Sequence, residues 1–217
     1  MQDQRSCRTD RGWRRKATTV APPETGEALD DIRLIRETME RTAQFTGLPG
    51  RGIMLVGATA LVTSWIAAQY SHWFSRWMLI WIAEAFVATT IAFITGYRKA
   101  NSVGQSLLVG PGRRMLVALG PPLFAGAVLT IALYLNNYQF HLASVIPGLW
   151  LLLYGSALMA AGAHSVPPVP VMGSAFLVLG GLVLVMNAPW VMNIAMALGF
   201  GGLHLGFGWY IARRHGG

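Results

Sequence analysis

Polar and apolar positions are sharply segregated along this chain. Residues 1–51 are rich in charge, and from residue 52 onward long apolar runs follow one another with polar breaks between them. Six runs stand out: 52–70, 77–97, 115–135, 142–163, 169–187 and 190–212. Each has about the 20 residues needed, at a rise near 1.5 Å per residue, to cross ~30 Å of hydrocarbon. The breaks after the first, third and fifth runs are very short, so consecutive helices there must be antiparallel neighbours. The pattern predicts an all-α integral membrane protein whose six transmembrane helices form three antiparallel hairpins.

The head has its own pattern. Residues 1–29 lack an apolar period and read as a disordered, basic tail. Arg14-Arg15-Lys16 is followed by no apolar stretch, so a cleavable signal peptide is not expected. Over 30–46 the pattern changes. Ile32, Ile35, Met39 and Ala43 recur at helical spacing, and Asp30 and Asp31 suit a helix N-terminus. Arg33/Glu37, Arg36/Glu40 and Glu37/Arg41 are i,i+4 pairs on the polar face. The segment reads as a cytoplasmic or interfacial amphipathic helix, ended by Gly47-Leu48-Pro49-Gly50. Its mixed charge suits protein contact as well as lipid, so Arg33, Arg36, Glu37, Glu40 and Arg41 are candidate partner-docking residues. The chain thus divides into the tail 1–29, the helix 30–46 and a transmembrane domain 52–212.

Charge changes this picture by adding orientation. Net charge is +8, yet 53% of residues are apolar and 12% charged, which points to a lipid bilayer rather than nucleic acid as the partner of a basic chain. The head, Arg98, Lys99, Arg113, Arg114, Arg213 and Arg214 fall on one side, and Arg76 falls on the other. The positive-inside rule puts both termini in the cytoplasm of a bacterial inner membrane. Aromatic residues mark the boundaries. Tyr70, Trp73, Phe74, Trp77, Tyr134, Tyr138, Phe140 and Trp190 lie at the outer one, and Tyr97, Trp209 and Tyr210 at the inner one. Cys7 is the lone cysteine, so no internal disulfide forms.

Small residues predict how the helices pack. Gly148, Gly155 and Gly162 recur every seven residues, Gly173 and Gly180 do the same, and Ala195, Gly199, Gly202 and Gly206 follow a 4-3-4 spacing. The similar stretches Pro49-Gly-Arg-Gly-Ile-Met-Leu55 and Pro111-Gly-Arg-Arg-Met-Leu116 hint at a repeated hairpin.

Candidate chemistry is sparse. Eight of the nine acidic residues precede residue 41, and the ninth, Glu84, lies inside the second span. An acid near a helix centre costs about 2.5–3.5 kcal/mol to insert, so it is expected either to tie helices together or to hold a ligand. Thr63 and Ser64 lie at its depth across the first hairpin, and Asn193 lies somewhat nearer the outer surface. Glu84, Thr63, Ser64 and Asn193 form the candidate intramembrane polar site. His204 lies roughly 10 Å deeper than Glu84 by helical rise, too far for direct pairing. No HExxH, GxSxG, P-loop or zinc spacing occurs, so no catalytic residue, metal or cofactor is assigned.

The stretch from Ile32 to Gly52, IRLIRETMERTAQFTGLPGRG, continuing through Gly57-Ala-Thr-Ala-Leu61, resembles a group of uncharacterised six-span inner-membrane proteins of Acidobacteria and similar soil bacteria. The shared pattern is IRETMER…FT..PG.G….G..AL. That group has no established activity, so the resemblance transfers no catalytic residues. It implies a neighbouring small winged-helix regulator, for which the 30–46 helix would be the docking surface. The expectation is a non-enzymatic protein with a regulatory or assembly role, with a cytoplasmic regulator or a second copy as partner. The alternative is a small-solute or proton-coupled transporter using Glu84.

Overall fold

The computed structural model describes residues 29–35, 44–136, 139–188 and 190–215. Two units separate, Met1–Met39 and Glu40–Gly217. In the first, residues 29–35 are helical (α1) and fully exposed, with Arg33 3.4 Å from Asp30 on the same face. Residues 36–43 lie outside the described residues, and with them Arg36, Glu37, Glu40 and Arg41. The basic tail before residue 29 lies outside them too.

The second unit is an all-α multi-pass membrane bundle. Its helices are α2 (Gly50–Gln69), α3 (Phe74–Ser102), α4 (Gly110–Leu135), α5 (Gln139–Gly162), α6 (Pro168–Met186), α7 (Val191–Met196), a π-helical segment (Ala197–Leu203) and α8 (His204–His215). Among the described residues, six stretches are long and apolar enough to cross a membrane, the last running through α7, the π segment and α8. Proline sets the starts of the odd-numbered spans. Pro49 caps α2, Pro111 lies in the first turn of α4, and Pro168 opens α6. There a missing backbone N–H costs nothing, because the first turn has no carbonyl to bond it.

The chain connects the spans as hairpins, but the tightest packing joins other pairs. The second and third spans, α3 and α4, are the least buried of the six, whereas the fourth, α5, is among the most buried. The closest seam is α5 on α6. A Cβ placed on Gly155 would stand 2.8 Å from the Gly173 carbonyl oxygen, and one on Gly180 2.9 Å from that of Gly148. The heptad glycines of α5 and the pair in α6 therefore face each other. In a bilayer, where burial of apolar surface gives no drive between helices, this backbone approach supplies dispersion contact instead.

The second seam joins α2 to the sixth span. A Cβ on Gly57 would meet the Gly201 carbonyl at 2.8 Å, and one on Gly208 would meet the Met54 nitrogen at 2.7 Å. Here the 4-3-4 expectation needs correcting. Ala195 and Gly199 are buried, but Gly202 and Gly206 are exposed. The contact residues beyond the bend are Gly201 and Gly208. The π segment is the cause. It adds a residue to one turn and rotates everything after it by about a third of a turn, so a spacing read as one straight helix changes face midway.

One apolar cluster begins at the end where the chain enters the bundle, the lead-in end, with Phe45, Leu48, Ala100, Leu107, Met115, Ala161, Val166 and Ile211, and runs on through Leu151 and Phe176 to Val183, Val191 and Ala195. A second cluster, around Trp77, Trp81, Ile146, Met192 and Met196, fills the opposite, far end.

Candidate intramembrane polar site and lead-in clamp

The i,i+4 threonines of α2 organise the Glu84 site. Thr59 and Thr63 lie one turn apart on the face toward α3. Thr59 Oγ1 donates to Glu84 Oε1 at 2.7 Å, and Thr63 Oγ1 donates to Oε2 at 2.9 Å. The side chain of Glu84 is buried among them. Thr59 was not anticipated by matching depth across the hairpin. Its signal was the Thr59/Thr63 spacing itself, which puts two hydroxyls on one helix face.

The other two members of the expected site belong elsewhere, and this corrects the four-residue constellation. Ser64 is one residue beyond Thr63 and so points about 100° round the helix. Its Oγ donates to the backbone oxygen of Asn193 at 3.3 Å. The Asn193 side chain accepts from Trp77 Nε1 at 2.7 Å. Glu84 with Thr59 and Thr63 ties α2 to α3, while Ser64, Asn193 and Trp77 tie the sixth span to both.

Trp77 also departs from its expected place on the aromatic boundary. It is completely buried, 5.6 Å from the Phe74 ring and 6.0 Å from Trp150, with which it stacks. Trp73 and Trp190 remain exposed near that boundary, and Tyr97, Trp209 and Tyr210 near the other. Arg213 lies over the Trp209 ring at 4.1 Å, a cation–π contact.

Other polar groups form interhelical pairs. Trp150 Nε1 donates to Thr130 Oγ1 at 2.8 Å, and Thr130 in turn donates to the Gly126 carbonyl at 2.7 Å. The hydroxyls of Ser75 and Tyr134 lie 3.3 Å apart. Tyr154 and His204 share a 2.8 Å bond between the phenol oxygen and Nε2, enclosed by Phe176 and Phe200. The bond pins α5 to the sixth span.

Above Glu84 the surface opens into a shallow groove of about 340 Å³, lined by Ala58, Thr59, Val62, Thr63, Glu84 and Val87. Ala58, Val62 and Val87 are exposed on the outer surface of the bundle. The groove therefore opens sideways from the helix pair, with the carboxyl as its polar floor.

At the lead-in end the expected helix through residue 46 gives way to a short extended strap, 44–49. Phe45 N–H donates to the His164 carbonyl at 2.8 Å, and Ser165 Oγ donates to the Phe45 carbonyl at 3.3 Å, in a parallel bridge. Gln105 takes the next turn. Its Oε1 accepts from the N–H of Thr46 at 3.0 Å and of Gly47 at 3.1 Å, and its Nε2 donates to the Gln44 carbonyl at 3.2 Å. The N–H groups of Phe45, Thr46 and Gly47 and the carbonyls of Gln44 and Phe45 are spent on these partners and so cannot continue a helix. Gln105 sits in the 103–109 loop, bounded by Gly104 and Gly110, both at positive φ. That shape needs glycine, and it aims Gln105 at the strap. Gln105 carried no sequence signal beyond being a polar residue in a loop.

Comparison with family models, with curated proteins and with solved structures returned no match.

Proposed function

We propose that this is a non-enzymatic protein of the bacterial inner membrane, with both termini in the cytoplasm, that works in regulation or assembly by docking a partner through the 30–46 helix. The observation that carries this reading is the clamp on residues 44–49. A tail that only tethered the head would need no buried Phe45 and no side chain devoted to its backbone. Here the chain leaves the head and within a few residues is bonded to two separate loops and packed into the bundle's apolar cluster. Such a strap fixes where the chain enters the helices. The resemblance around residues 32–61 points the same way, with a small cytoplasmic regulator as the partner.

The test is co-purification of the intact protein in mild detergent. Removing residues 30–41 while keeping Phe45 is expected to abolish partner recovery, and Glu84→Gln is expected to leave it intact. Recovery that survives the deletion and fails in Glu84→Gln overturns the reading. The second reading, a small-solute or proton-coupled transporter, is favoured by the groove over Glu84. It requires a pH-dependent flux that disappears in Glu84→Gln.

A further inference from the structure

We infer that the groove between α2 and α3 binds a lipophilic primary amine from within the bilayer, with the ammonium group on Glu84 and the alkyl chain along Ala58, Val62 and Val87. The inference shares the groove with the transporter reading but asks only for binding, so the absence of flux leaves it standing.

Three observations combine. The first is charge. Among the described residues, Glu84 is the acid inside the bundle, and it has no Lys or Arg partner; the ion pair described there is Arg33 with Asp30 on α1. A carboxyl in hydrocarbon without a counter-charge is open to a cation that can reach it.

The second is a count of hydrogens. Thr59 Oγ1 lies 2.7 Å from Glu84 Oε1 and also 2.9 Å from the Val56 carbonyl. Thr63 Oγ1 lies 2.9 Å from Oε2. Two hydroxyl hydrogens thus face three acceptor contacts, because a threonine hydroxyl has a single hydrogen to give. When Thr59 bonds its own helix carbonyl, Oε1 is left to an outside donor. An ammonium supplies that donor and the missing charge together.

The third is access. The groove's walls are Ala58, Val62 and Val87, and these are exposed on the face that meets lipid. A ligand arriving there must already be dissolved in the bilayer. An alkyl chain with one ammonium head matches a site with apolar walls and one acidic floor. A fatty acid would set carboxyl against carboxyl, and an alcohol would bring the hydrogen without the charge.

The experiment uses the full chain in phosphatidylcholine nanodiscs and an alkyl primary amine carrying a dansyl group at its far end. Energy transfer from the protein's tryptophans to dansyl is measured against empty discs. Saturable transfer is expected, displaced by decylamine but not by decanoate or decanol. Glu84→Gln, which keeps shape and hydrogen bonding, is expected to weaken binding about tenfold or more, the loss of a charge-assisted bond. Val62→Phe, an outward substitution that keeps the acid and blocks the groove, is expected to weaken it as well. Transfer no greater than in empty discs overturns the inference. So does equal binding by Glu84→Gln, or equal displacement by decanol, which would make the groove a general alkyl site. Disulfide-linked dimers of a Val62→Cys, Cys7→Ser variant, with no amine binding, would show that a second copy covers the groove instead.

Discussion

Thr63 and Ser64 differ by one position and serve different neighbours, and that is the lesson at the scale of residues. Position along a helix was legible from the sequence, because it follows from counting residues. Direction around the helix was not, because it depends on which neighbour packs where. Hence Thr63 met Glu84 as expected, Ser64 turned to the sixth span, and Thr59 joined the site one turn away. Polar side chains in a bundle are worth only modest energies, about 0.6 kcal/mol each and up to about 2 kcal/mol. Thr63→Val is expected to cost about 1 kcal/mol, and a double-mutant cycle with Glu84→Gln read by reversible unfolding in detergent should show that the two effects are coupled. Trp77→Phe should cost somewhat more, because it leaves the part-buried Asn193 oxygen without its donor and removes part of a stacked ring. A Trp77→Phe variant as stable as the parent would place the value of that residue in its ring alone.

At the scale of elements, the six spans were legible in the sequence for a simple reason: a bilayer demands length and apolarity, and both are written in composition. The glycine seam of α5 against α6 was legible too, since a strict heptad of small residues marks one face. The sixth span was misread because its glycines straddle a π segment, and a change of helical pitch leaves no mark in residue type. The choice of packing partner was equally hidden, for short loops fix which helices are antiparallel and not which pack most closely. These seams make a sharp prediction. Gly155→Leu drives a side chain into the backbone of α6 and should destabilise the bundle by roughly 1–3 kcal/mol or more. Gly181→Leu, on the same pair of helices but facing open space, should change stability by about 0.5 kcal/mol or less. Thermal unfolding in detergent distinguishes them, and equal effects would contradict the assignment of the seam.

For the whole molecule, interhelical polar bonds pin the bundle at several levels and a clamped strap holds the chain where it enters. Orientation is tested by cysteine labelling in a Cys7→Ser background. Ser71→Cys should react with an impermeant reagent in intact cells, and Arg214→Cys only after permeabilisation; the reverse would invert the arrangement derived from basic residues. The strap is tested by stability. Phe45 is almost wholly buried, so Phe45→Ala should cost about 3–5 kcal/mol, whereas Ile32→Ala on exposed α1 should cost little. The strap's hydrogen bonds are what hold residues 44–49 to the bundle. Hydrogen exchange of residues 44–49 in nanodiscs measures them amide by amide. The amides of Phe45, Thr46 and Gly47 are expected to exchange slowly, and Gln105→Ala is expected to release Thr46 and Gly47 while Phe45, bonded to His164, stays protected. Exchange of all three at the rate of an open chain in the unaltered protein would contradict the clamp.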